Sequence, residues 1–174
     1  FGTDQSLGFS ELLDKIEIWD GQKADIHLPR NQAQKRKTLP DPTCHWLYTD
    51  IGGEPLVKVF RYDLPDGSKE FRPYDVEARR WRAPEPRPLY NLPGIIEADT
   101  VIIVEGEKCA QALIDNGHIA TTAMHGANAP AEKTDWLPLI GKRVLIWPDN
   151  DSSGQNYAET IAQTLTKLGV TDVR

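Results

Sequence analysis

Cysteine is scarce in this chain of 174 residues, since only Cys44 and Cys109 occur and they lie far apart. No CxxC pair is present, which excludes a structural zinc ribbon encoded by these residues. Two thiols without a disulfide framework favour a reducing compartment, and we expect a cytoplasmic protein. Apolar runs are short as well, because none approaches the roughly 20 residues that span a bilayer. We therefore expect no membrane partner.

Positive charge is in the minority, with 20 Lys and Arg residues against 26 Asp and Glu and a net charge of −6. A basic surface that covers the whole protein is therefore not expected. The balance is reversed locally, because eight Lys and Arg occur with six Asp and Glu between Lys58 and Arg87. Arg79, Arg80 and Arg82 form a cluster in that segment. A nucleic-acid partner would have to bind there.

The pattern along the chain divides it into three sections. Residues 1–42 predict one amphipathic helix, over 10–18, followed by a polar linker. Residues 43–98 predict a small β-rich subdomain with strands over 45–49, 57–62 and 69–73, and a proline-rich connector over 81–93 that is extended or turned rather than helical. Alternation along the second strand places Val57 and Val59 on one face, with Arg61 as a candidate third member, and Lys58, Phe60 and Tyr62 on the other.

Residues 99–174 change character, because strands over 101–104, 119–123 and 143–147 alternate with helices over 108–116 and 153–168. The apolar run at 101–104 is typical of a strand buried on both faces of a parallel sheet. The section therefore predicts an α/β fold, a parallel sheet flanked by helices, preceded by the antiparallel β subdomain. Neither an initiator Met nor a signal pattern begins the chain, and 170–174 resembles the start of another strand. We expect a segment of a longer protein, truncated at its C-terminus.

Two of these strands run directly into acidic residues. Glu105 follows the strand over 101–104, and Asp149 and Asp151 follow the strand over 143–147. The two aspartates are separated by one residue, so on an extended segment their carboxylates are expected to point the same way. Ligands of open parallel sheets gather beyond the carboxyl ends of the strands. If the two strands are neighbours, three carboxylates converge there without a basic partner, and a cation between them would relieve their repulsion. Mg²⁺ or Mn²⁺ suits such a set of oxygen ligands.

Each of these acids has a simpler interpretation. Asp151 precedes the last predicted helix and is well suited to cap its N-terminus. Glu105 could be an ordinary loop residue. The metal hypothesis depends on the three acids occurring together, in order, at matching strand ends.

The segment Val101-Ile102-Ile103-Val104-Glu105-Gly106, followed by Val144-Leu145-Ile146-Trp147-Pro148-Asp149-Asn150-Asp151, resembles the TOPRIM module of bacterial-type primases, type IA and II topoisomerases and some nucleases. The amino-acid sequence of the segments 89–93, 104–110 and 147–154 is similar to that of primase or primase–helicase proteins of phages and mobile elements. The resemblance covers about residues 88–174 well and the β subdomain loosely. It implies a TOPRIM-type fold.

The resemblance also implies roles at matching positions. Glu105 is expected near the reacting phosphate, as metal ligand or general acid/base, and Asp149 and Asp151 as the metal-binding pair. Gly106 and Gly126 fall at tight turns of the family. Lys108 is expected either to contact a nucleotide phosphate or to pair with Glu107.

The function that follows is that of a DNA primase catalytic core, which makes RNA primers by Mg-dependent nucleotidyl transfer. Its partners would be a single-stranded DNA template, ribonucleoside triphosphates and a helicase domain or subunit. The template backbone would contact the β subdomain and its connector, where Trp81 or Tyr74 could stack on bases, and the basic residues concerned are Lys58, Arg61, Arg72, Arg79, Arg80 and Arg82. A solvated sheet face explains these arginines equally well. The alternative functions are a TOPRIM-type nuclease using the same acids and a degenerate module that binds nucleotide or DNA without turnover.

Overall fold

The computed structural model describes residues 39–126 and 131–174, so the helix predicted over 10–18 lies outside the described residues. A three-stranded antiparallel sheet comes first, in the order β1-β2-β3. Its strands are β1 (Cys44–Thr49), β2 (Pro55–Asp63) and β3 (Lys69–Asp75). Each of the three predicted strands is confirmed, and each is one to three residues longer than predicted.

The second half is a four-stranded parallel sheet in the order β5-β4-β6-β7. Its strands are β4 (Thr100–Val104), β5 (Ala120–Thr121), β6 (Arg143–Trp147) and β7 (Asp172–Val173). Three α-helices accompany it, namely α1 (Leu92–Glu97), α2 (Glu107–Asp115) and α3 (Ser152–Lys167), with short 3₁₀ helices at Ala131–Lys133 and Leu137–Leu139. The predicted fold class is confirmed.

The two faces of β4 point into two different cores. Val101 and Ile103 are fully buried with Ile161 and Leu165 of α3. Val104 faces the other way and packs in a cluster that contains Ala110 of α2, as well as Tyr48, Val57 and Val59 of the antiparallel sheet. The parallel sheet is therefore covered by α3 on one side, and by α2 and the antiparallel sheet on the other.

Alternation in β2 follows the prediction. Val57 and Val59 are almost completely buried against this second core. On the opposite face, Lys58 and Phe60 keep contact with solvent, whereas Tyr62 near the end of the strand is buried. Residues 39–174 form one compact unit. Within the described residues no helix is long and apolar enough to cross a membrane.

Two local predictions were too simple. The strand predicted over 119–123 contains only Ala120–Thr121, because the neighbouring backbone pairs elsewhere: the Tyr90 N–H donates to the Thr122 carbonyl at 3.2 Å. The connector predicted to be extended or turned over 81–93 becomes helical at its end, where α1 begins at Leu92. A proline in the first turn of a helix needs no hydrogen-bond donor, so Pro93 is tolerated there.

Candidate functional site

Neighbouring strands bring the predicted acids to one edge of the parallel sheet. β4 and β6 pair directly, with Val104 opposite Trp147 in the register. Glu105 leaves β4 immediately after this pair, and Asp149 follows β6 one residue beyond Pro148. The adjacency on which the metal hypothesis depends is therefore present.

The surroundings of Glu105 are unfavourable for its charged form. Burial raises the pKa of this carboxyl above its usual range, and the negative charges of Asp149 and Asp151 raise it further. Its Oε2 atom is buried and has no hydrogen-bond partner among the described residues. Buried carboxylate oxygens are normally satisfied, so an unpartnered one at this position is a place for a cation or a proton.

The segment between the two aspartates is not extended, contrary to the expectation that alternation would point both carboxylates the same way. The Asp151 N–H donates to the Asp149 carbonyl at 2.9 Å, which closes a turn around Asn150. A turn is needed here because β6 ends at Trp147 and α3 already begins at Ser152. The relative orientation of the Asp149 and Asp151 carboxylates is therefore determined by this turn.

Asp151 also caps helix α3. Its Oδ1 accepts a hydrogen bond from the Gly154 N–H at 2.7 Å, and its backbone is extended as an N-cap requires. The simpler interpretation of this residue is thus correct for one oxygen. The capping bond occupies Oδ1 alone, so it does not conflict with a role of Oδ2 toward a cation.

Two glycines allow the acidic segments to pack closely. A Cβ atom on Gly126, whose φ is +53°, would lie 2.4 Å from the Glu105 carbonyl oxygen. A Cβ atom on Gly154 would lie 2.3 Å from the Asp149 carbonyl oxygen. Gly106, in contrast, has an extended backbone and open space around its Cβ position, so the turn after β4 does not require it. The sequence pattern singled out Gly106 and Gly126 and missed Gly154, whose neighbour in space is set only by the start of α3.

The donor chemistry fits Mg²⁺ or Mn²⁺, although the acids are not arranged as a closed ligand cage. Among residues 39–126 and 131–174, no group of three or more His, Cys, Asp or Glu side chains is placed to hold a metal ion. Mg²⁺ commonly binds through one or two carboxylates and keeps several water molecules. The unpartnered oxygen of Glu105 and the mutual charge of the three acids are compatible with that mode of binding.

A buried hydrogen bond, which no local sequence pattern predicts, links the antiparallel sheet to this edge. The hydroxyl of Tyr48 in β1 donates to Oε1 of Glu107, the first residue of α2, at 2.8 Å. Tyr48 is fully buried and Glu107 nearly so. Burial raises the pKa of the phenol, and the Glu107 charge raises it further, so the hydroxyl keeps its proton. Because Glu107 follows Glu105 by two residues, this bond anchors the segment that carries the predicted catalytic acid.

Lys108 forms no ion pair with Glu107 in the described part of the chain, and Glu107 accepts from Tyr48 instead. Of the two roles expected for Lys108, the ion pair with Glu107 is therefore absent among the described residues. Its contact with a nucleotide phosphate stays a prediction.

The predicted template contacts are not equivalent. Arg61 lies on the same face of β2 as Val57 and Val59 and pairs with Asp63 at 2.7 Å. Arg72 of β3 is the register partner of Phe60, on the opposite face of the sheet from Val57 and Val59, and pairs with Glu70, also at 2.7 Å.

Arg82 lies 3.8 Å from Asp75. Arg79 and Arg80 have no ion pair within the described ranges. These arginines therefore differ in how freely they could contact a phosphate.

An apolar cavity of about 280 Å³ opens beside the acidic edge. Leu113 of α2 and Trp147 of β6 contribute to its walls, and Asp149 lies at its boundary. Trp147 remains 59% exposed because α2 packs on β4 and β5 rather than on β6. The acidic edge is thus open to a ligand that has an apolar or planar part.

Comparison with known proteins gives one match. Neither a curated protein nor a solved structure matches the chain. The family of the Toprim domain matches over residues 100–173. These limits coincide with the parallel sheet, from the start of β4 to the end of β7, and its topology is consistent with a TOPRIM fold. Residues 100–173 of this chain are therefore similar to the Toprim domain in both sequence and topology.

Proposed function

We propose that this chain is the catalytic core of a DNA primase, which joins ribonucleotides into primers on single-stranded DNA with Mg²⁺ or Mn²⁺. The observation that carries the proposal is the Toprim match together with the unpartnered Glu105 oxygen beside Asp149 and Asp151. Toprim domains occur in primases, nucleases and topoisomerases. The basic segment between Lys58 and Arg87 favours the primase among them, since a primase must hold a template as well as a nucleotide.

Glu105 is the residue that we assign to proton transfer. Burial and the negative charges of Asp149 and Asp151 raise the pKa of its carboxyl, and this carboxylate can accept a proton as long as it does not itself bind the cation. In nucleotidyl transfer this base would accept the proton of the attacking 3′-hydroxyl.

Asp149 and Asp151 would hold the divalent cation. When bound, the cation would neutralise part of the negative charge of the triphosphate. Lys108, at the exposed start of α2, would contact a phosphate of the nucleotide. The template backbone would contact the basic residues Arg72, Arg79, Arg80 and Arg82, whereas Arg61 lies on the inner face and is paired with Asp63.

A nucleotide-incorporation assay on single-stranded DNA tests the proposal. We expect the full-length natural chain to incorporate labelled ribonucleotides with Mg²⁺, and Glu105→Gln to abolish incorporation while the melting temperature is preserved. An amide keeps the shape but cannot serve as a base. Glu97→Gln, at the exposed end of α1, is the matched control and should keep full activity.

The same assay separates the alternatives. Cleavage of the template without incorporation would favour a Toprim nuclease that uses the same acids. Binding of DNA with neither reaction would favour a degenerate module. Full activity of Glu105→Gln would remove this residue from the catalytic centre.

A further inference from the structure

The antiparallel sheet has an inner and an outer face. The inner face packs on the parallel sheet through Tyr48, Val57 and Val59. The outer face is formed by the alternate residues, and the register aligns them in rows: His45 with Phe60, and Lys58 with Tyr74. No described element of the core covers these rows completely, since Lys58, Phe60 and Tyr74 are all partly exposed.

Aromatic side chains form a continuous row on this outer face. The ring centroids of His45 and Phe60 are 5.7 Å apart, those of Phe60 and Trp81 5.4 Å, and those of Trp81 and Tyr74 5.2 Å. Trp81 comes from the connector after β3 and yet is 60% exposed. We call His45, Phe60, Tyr74 and Trp81 the ring row.

His45 and Trp81 are exposed and Phe60 and Tyr74 are partly exposed, so the ring row is open to solvent. Aromatic pairs at 4.5–7 Å stabilise each other, so the row holds its rings in place before any ligand binds. A row of fixed rings that stays open to solvent is suited to stacking against planar groups.

Positive charge flanks the ring row. Lys58 lies beside Tyr74 in the register, and Arg79 and Arg80 precede Trp81 directly. None of these three cations forms an ion pair within the described residues.

The outer face also carries Arg72, which is paired with Glu70. Glu70 is the acidic residue that alternation places on this face of β3. The charge around the ring row is therefore predominantly positive, although the chain as a whole is acidic.

We propose that the ring row binds single-stranded nucleic acid, with bases stacked on Trp81 and its neighbours and phosphates contacted by Lys58, Arg79 and Arg80. Exposed aromatic rings beside unpaired cations are the pattern of surfaces that bind single strands. A duplex keeps its bases stacked inside and offers the rings no partner. The inference rests on the proposed function, because the single strand bound here would be the primase template. Arg61 lies on the inner face and is not part of this contact surface.

Binding of a fluorescently labelled oligothymidylate, measured by anisotropy with the full chain and without nucleotides or metal, tests the inference. Trp81→Ala should weaken binding about tenfold, because stacking on one ring is worth that much or more. Trp81→Phe retains a ring and should bind within about threefold of the wild type. Melting curves verify that the variants fold.

Phe71→Ala is the matched control, since Phe71 is a 39% exposed aromatic residue on the inner-face side of β3. Its binding should equal that of the wild type. Lys58→Glu should also lower the slope of log Kd against log salt by about one unit, because one phosphate contact is lost.

The inference would be overturned by unchanged binding of Trp81→Ala, by equal losses in Trp81→Ala and Phe71→Ala, or by a duplex that binds as tightly as the single strand. Because no nucleotide or metal is present, these outcomes are independent of catalysis. Loss of incorporation with intact Trp81-dependent binding would contradict the proposed primase activity alone.

Discussion

Removal of the Tyr48 hydroxyl tests how the antiparallel sheet is fixed to helix α2 of the parallel-sheet half. Tyr48→Phe keeps the ring in its buried position and deletes only the donor to Glu107, at 2.8 Å in the structure. Glu107 is 5% exposed, so water cannot readily replace the lost partner. We expect Tyr48→Phe to destabilise the fold more than the loss of an exposed hydrogen bond would.

The magnitude follows from the charge of the acceptor. A hydrogen bond to a charged group contributes about 1.5–3 kcal/mol, against about 0.5–1.5 kcal/mol for a neutral pair. Tyr90→Phe is the matched control, because its hydroxyl donates to the neutral amide of Gln111. We therefore expect a loss of about 2 kcal/mol for Tyr48→Phe and about 1 kcal/mol for Tyr90→Phe.

Urea unfolding of the full chain at pH 8 gives both values through the shift in midpoint. A double-mutant cycle with Glu107→Gln sharpens the result, since the Tyr48 hydroxyl should be worth less in that background. Equal losses for Tyr48→Phe and Tyr90→Phe, or an unchanged value in the Glu107→Gln background, would refute the account of this bond.

The remaining predictions concern the glycines that pack the acidic segments. Gly126→Ala should cost more than the roughly 1–2 kcal/mol of left-handed backbone strain, because its Cβ would meet the Glu105 carbonyl oxygen. Gly117→Ala, with φ +82° and open space, should cost the strain alone. Gly154→Ala should destabilise the protein although alanine normally favours a helix by about 1 kcal/mol, since the Asp149 carbonyl oxygen lies 2.3 Å from its Cβ position. Thermal unfolding checks all three, and equal losses at Gly126 and Gly117 or a stabilised Gly154→Ala would contradict these contacts.

Much of the fold could be predicted because periodicity reports burial directly. The run at 101–104 predicts a strand buried on both faces, and Thr100–Val104 indeed separates the two cores. Alternation at 57–60 likewise predicts which side chains face the core. The short strand Ala120–Thr121 was overestimated because the length of a strand depends on which backbone its neighbours find, which is a tertiary property.

The acidic edge could be predicted only in outline. Glu105 and Asp149 lie close together only if their strands are neighbours in the sheet. The sequence does not determine the strand order, so the site could be predicted only on the condition that these strands pair. The turn around Asn150 and the contact of Gly154 with Asp149 depend on the start of helix α3. The bond between Tyr48 and Glu107 joins residues 59 positions apart and has no local signal.

Binding of Mn²⁺ followed by electron paramagnetic resonance tests the central claim most directly, because bound and free Mn²⁺ give distinct signals. We expect the wild-type chain to bind Mn²⁺, and Asp149→Asn to weaken binding by at least about tenfold, the loss that even an indirect partner of a metal ligand causes. Asp115→Asn, an exposed acid at the end of α2, is the control and should bind as the wild type does. Equal Mn²⁺ affinity of the wild type and Asp149→Asn, or no bound Mn²⁺ at millimolar concentration, would contradict a metal site at this edge of the sheet.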